Sequence, residues 1–109
     1  MLKELLGSIS KERSLVYIAG RKRGYAREIA RFFATSLSPV QNALDDLEAA
    51  GILFSRKVGV TQEYEFNPRY PALVELKALV NRAIELYPSS LKQQLLEVRA
   101  RPRRKGKPL

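Results

Sequence analysis

The 109-residue chain contains no cysteine and no histidine. The first absence excludes disulfides, thiolate metal sites and cysteine nucleophiles, and fits a reducing compartment without requiring one. The second removes the commonest general base and metal ligand, and with it any Ser-His or Cys-His nucleophile pair. The six glycines are scattered, so no glycine-rich loop of the phosphate-cradling kind is present. No apolar run approaches the ~18 residues of a membrane span. The opening Met1-Leu2-Lys3-Glu4-Leu5-Leu6 is amphipathic and too short for a signal-peptide core. Glu63 and Glu65 alternate with Gln62 and Tyr64 as on the exposed face of a strand. A carboxylate pair built for catalysis would place one member in an apolar pocket. The expectation is a cytoplasmic protein that is not an enzyme, with no cofactor, no metal and no membrane partner.

Positive charge is abundant. The net charge is +9, and Arg101, Arg103, Arg104, Lys105 and Lys107 in the last nine residues leave +4 for the rest. Arg21, Lys22, Arg23, Arg27 and Arg31 form a second cluster, and acid gathers in Asp45, Asp46 and Glu48. Such a balance favours a polyanionic partner, nucleic acid before membrane surface. Hydrophobic residues make up 45% of the chain, enough for one core, and burial in a dimer would add to it.

The pattern along the chain is mainly helical. Leu2, Leu5, Leu6 and Ile9 have helical spacing, and Ser10 is placed to cap a second helix. The run Ser14–Ala19 has the pattern of a buried helix, a strand being the alternative, and Gly20 reads as its stop. After the basic loop Arg21–Gly24, Tyr25–Phe33 forms a helix with Tyr25, Ile29, Ala30 and Phe33 inward. Ser38-Pro39 reads as an N-cap followed by a first-turn proline, opening a helix over Ser38–Ala50. Val40, Leu44 and Leu47 form its inner face, and Gly51 follows its end.

Two β-rich runs, 52–58 and 60–66, flank Gly59 as in a hairpin, closed by Asn67-Pro68. A long helix over 71–87 and another from Ser89-Ser90, carrying Leu91, Leu95, Leu96 and Val98, complete the domain over residues 1–99. Residues 100–109 have the composition of a disordered basic tail. The fold class expected is mainly α with a small β-hairpin wing, a winged helix-turn-helix with a C-terminal helical extension.

In that arrangement one face of the 38–50 helix packs inward and the other is free to enter the major groove. Ser36, Ser38 and Pro39 lie at its start, where free backbone amides attract phosphate. Gln41 and Asn42 carry amides of the kind that bond bidentately to adenine. Arg23, Tyr25 and Arg27 sit before and within the preceding helix, and Arg56, Lys57 and Thr61 near the hairpin tip suit the backbone or the minor groove. The tyrosines are spread through the elements, unlike a stacking platform for single strands.

The stretches Gly24–Arg31 and Ser38–Leu53, with the hairpin exit Tyr64–Pro68, resemble ArsR-like winged-helix transcriptional regulators. The similarity spans roughly Ile9 to Tyr87, and Arg27-Glu28-Ile29-Ala30 and Leu47-Glu48-Ala49-Ala50-Gly51 are its most specific parts. The chain also resembles the winged helix that precedes some nucleotidyltransferase domains, without that catalytic domain. The resemblance implies prokaryotic transcription regulation through double-stranded DNA. It does not imply metal sensing, which in that family uses cysteine and histidine ligands. A homodimer through the 71–87 helix and the terminal helices is expected. A winged helix that holds a protein partner, or one that binds RNA, is the alternative.

Overall fold

The computed structural model describes residues 1–97; Val98 and the expected tail over 100–109 lie outside the described residues. Among the described residues, six helices and one hairpin surround a single core. Among the described residues no helix is long and apolar enough to cross a membrane.

Helix α1 (Leu2–Leu6) is brief because Gly7 takes a left-handed conformation, φ 78°, and its amide closes on the Lys3 carbonyl at 2.7 Å. Helix α2 (Ile9–Arg21) is the centre of the molecule, with Leu15, Val16, Tyr17 and Ile18 all buried. A helix that is apolar on several sides must be covered on several sides, and α2 is, by the other helices and by the hairpin. Its cap is Ser8, whose hydroxyl accepts from the Lys11 amide at 3.2 Å, not the expected Ser10, which is buried inside the first turn.

Gly20 does not stop α2. The helix runs on to Arg21, and Lys22 takes the left-handed position, φ 79°. Gly20 instead permits a close approach. A Cβ there would lie 2.9 Å from the Leu95 carbonyl oxygen of α6 (Ser89–Glu97).

Helix α3 (Ala26–Phe32) and helix α4 (Leu37–Ala49) form the helix-turn-helix. The second is capped by Ser36, two residues before the expected Ser38, and has no side-chain cap bond. Ser38 and Pro39 therefore both lie inside the first turn, where amides lack intrahelical partners and proline is tolerated. Val40, Ala43, Leu44 and Leu47 are buried as the spacing predicts. The helix closes in a paired C-terminal motif: Ile52 donates to the Leu47 carbonyl at 3.0 Å and Gly51, φ 79°, to Glu48 at 2.9 Å.

Strands β1 (Leu53–Val58) and β2 (Thr61–Phe66) pair antiparallel from Leu53↔Phe66 to Val58↔Thr61. The two-residue turn has Gly59 at φ 64°, as a twisted hairpin requires. Gly24 joins the sheet through a bridge to Tyr64, with bonds of 2.8 and 3.1 Å in both directions. Asn67 fastens the exit, donating to the Gly51 carbonyl at 3.0 Å while its amide bonds Ile52 at 2.9 Å.

Helix α5 (Leu73–Glu85) buries Val80, Ala83 and Ile84, and α6 buries Leu95. Leu76 and Leu79 on the same helix are half-buried and pack against the core. Among the described residues, the large apolar side chains left exposed on or next to the helices include Leu5, Ile9, Leu37, Val74, Leu86 and Leu96.

Candidate nucleic-acid interface

The first turn of α4, the start of α3 and the hairpin meet in an open cleft of about 150 Å³. Its lining brings together Tyr25, Arg27, Gln41 and Thr61 of the expected site residues, with Leu37 and Gln62. Ser36, Ser38, Pro39 and Asn42 are exposed on the same end of α4. Tyr25 occupies the N-cap position of α3 and is half-buried, and Arg27 is exposed one turn before the exposed Arg31.

Gln41 is not a free amide. Its Nε2 donates to Asp45 Oδ1 at 3.0 Å and to the Tyr64 hydroxyl at 3.2 Å. Burial pushes the Tyr64 hydroxyl above its ordinary range, against the lowering effect of the Gln41 bond, and the carboxylates of Asp45 and Glu48 push it further. The phenol therefore stays protonated at neutral pH.

Two of the expected cations carry partners of their own. Arg56 pairs with Glu65 at 2.9 Å, and Arg23 with Glu63 at 3.8 Å. Lys57 is exposed and in no ion pair among the described residues. The Thr61 hydroxyl donates to the Val58 carbonyl across the turn at 2.8 Å. Val60 at the turn is 95% exposed. Helix α4 has no lysine or arginine, and its acids face different neighbours. Asp46 meets Lys11 at 3.6 Å, and Glu48 accepts from Ser55 Oγ at 2.7 Å, which itself accepts from Gln62.

No protein-family model matches the chain, and no curated protein matches it. Among solved structures it is similar to the transcriptional regulator BldR from Sulfolobus solfataricus, with 20% identity and a TM-score of 0.52. That match covers 92% of this chain and 79% of the other. It is also similar to the adhesin competence repressor AdcR from Streptococcus pyogenes, with 14% identity and a TM-score of 0.51, over 92% and 89% of the two chains. The fold is a winged helix-turn-helix.

Within the winged helix, α4 is the second helix of the motif and the β1–β2 hairpin is the wing. Two residues with central places here escape a reading of the sequence. Tyr64 alternates in β2 like any packing residue, and only the pairing of Gly24 with the wing brings its hydroxyl to Gln41. Arg21 belongs to the basic loop by sequence, yet it turns inward. It donates to the carbonyls of Gln94 at 2.9 Å and Leu95 at 3.3 Å and to the Tyr17 hydroxyl at 2.8 Å, and it stacks over Tyr17 and Phe32. It is a structural cation, held by residues some 73 positions away.

Proposed function

We propose that this chain is a sequence-specific regulator of transcription that binds double-stranded DNA, with α4 in the major groove and the wing against the backbone. The observation that carries the reading is the convergence at one cleft of the α4 start, Arg27 of α3 and the wing residue Thr61. Ser36, Ser38 and Asn42 stand exposed beside it. A helix start that offers uncommitted amides, flanked by Arg27 and by a hairpin tip that exposes Lys57, suits phosphate on both sides of a groove. The likeness to two transcriptional regulators supports the same role. The stretches Gly24–Arg31 and Ser38–Leu53 favour the ArsR-like variety of this class. The reading is of a cytoplasmic, non-catalytic homodimer, supported by the apolar residues left exposed on α1, α5 and α6.

Titration of labelled genomic duplexes at several salt concentrations tests it. Log affinity should fall with log salt, by about 0.9 for each phosphate contact. Affinity that is flat in salt, or stronger for bulk RNA than for duplex DNA, would overturn the reading. The lack of any cation on α4 favours a second reading, a module that holds a basic protein segment. In that case duplex DNA would not bind above background.

A further inference from the structure

A primary amide has two N–H donors and one carbonyl acceptor. In Gln41 both donors are engaged, one by the Asp45 carboxylate at 3.0 Å and one by the Tyr64 hydroxyl at 3.2 Å. The orientation is dictated by chemistry, because a carboxylate accepts and only the amide nitrogen can donate to it. What Gln41 keeps for a ligand is its carbonyl oxygen. Asp45, exposed on the next turn, keeps only acceptors as well.

The bidentate adenine contact expected from the sequence needs an amide N–H for N7 and the carbonyl for N6. Here it would cost one of those two bonds: the charge-assisted bond to Asp45, roughly twice as strong as a neutral one, or the bond to the buried Tyr64 residue. Guanine offers N7 and O6, both acceptors, and thymine offers O4 and a methyl group. Adenine places the N7 acceptor beside its N6 donor, and cytosine alone presents the N4 donor with no acceptor next to it.

We infer that Gln41 and Asp45, locked by Tyr64, form an acceptor-only reading pair that selects cytosine on the contacted strand of the major groove. The inference rests on the duplex-DNA reading above and adds to it a base and a residue that sets specificity. Asp45 is then more than an acid tolerated near phosphates. It weakens binding to every sequence through its charge and recovers affinity only where a cytosine amino group meets it.

The experiment begins with selection of bound sites from a randomised duplex library by the full chain. The best site and its single-base variants are then titrated with the wild type, Asp45→Asn and Tyr64→Phe. At one position the wild type should prefer cytosine over thymine by roughly five- to 150-fold. Asp45→Asn should remove that preference while tightening binding to a scrambled duplex. Tyr64→Phe releases one amide hydrogen of Gln41, so the preference at the same position should move from cytosine toward adenine. Asp45→Asn changes an exposed side chain and keeps the fold, so it decides the matter even where loss of the buried hydroxyl lowers stability. Equal tightening on all sequences by Asp45→Asn, with the selectivity ratio unchanged, would make Asp45 merely repulsive and overturn the inference while leaving DNA binding intact. Failure to recover any duplex would instead overturn the DNA reading itself.

Discussion

Replacing Arg21 by alanine should loosen the packing of α6 on α2 and leave DNA contacts alone. The guanidinium donates to two carbonyls in α6, at 2.9 and 3.3 Å, and to Tyr17 at 2.8 Å, with the rings of Tyr17 and Phe32 at 4.8 and 5.1 Å. A hydrogen bond from a charged group contributes ~1.5–3 kcal/mol, less where water reaches it, as at Gln94. Stacking of the cation adds ~0.5–1 kcal/mol. A loss of about 2–3 kcal/mol follows, which in a domain this size lowers the melting temperature by roughly 10–20 °C. Arg21→Lys should recover little, because an ammonium lacks the planar fork that spans two carbonyls and stacks on a ring. Thermal unfolding followed by far-UV circular dichroism gives the stability, and the salt slope of DNA binding gives the phosphate count. A variant that melts with the wild type while its salt slope drops by about 0.9 would show Arg21 on a phosphate and refute the argument.

Three other outcomes are expected. Gly20→Val should separate α2 from α6, since a Cβ already meets the Leu95 carbonyl oxygen at 2.9 Å; a melting temperature equal to the wild type would refute the close contact. Burial alone would raise the pKa of Glu12, but the Tyr87 hydroxyl at 2.7 Å and the terminal ammonium at 3.4 Å hold it below the usual carboxylate range. Its stabilisation is thus present above that range and is lost as pH falls through the lowered value. Tyr87→Phe should cost ~1.5–3 kcal/mol at neutral pH and progressively less in acid, and parallel melting curves across pH would contradict this. Sedimentation should show a dimer that Leu86→Glu converts to a folded monomer, because Leu86 is 59% exposed. Leu76→Glu should instead unfold the chain, since Leu76 packs against the core; a monomeric wild type would remove the dimer.

The periodic elements were legible because burial imposes a period. Val40, Leu44 and Leu47 identify the buried face of α4, and alternation around Gly59 identifies the hairpin. Local signals that serve more than one purpose were misread. Ser38-Pro39 reads as a helix start, but proline is compatible with the whole first turn, so Ser36 and Leu37 could extend the helix backward. Gly20 reads as a stop, whereas its missing Cβ answers to a carbonyl 75 residues away. At the site, exposure and element were predictable for Asn42 and Lys57. The Tyr64 partner of Gln41 and the partners of Arg56 and Arg23 were not, because each is set by strand pairing or by a contact between elements.

The bridge between Gly24 and Tyr64 also determines how the wing moves. The hairpin is rooted at Leu53 and Tyr64, both buried, while Arg56, Lys57 and Val58 stand clear of the body. It behaves as a cantilever clamped a short distance from its base. Amide protons should therefore exchange slowly at the clamp and progressively faster toward Gly59, with the gradient falling along six residues rather than across a hinge. Under the proposed DNA-binding reading, a wing held this way would meet its duplex as a preset shape.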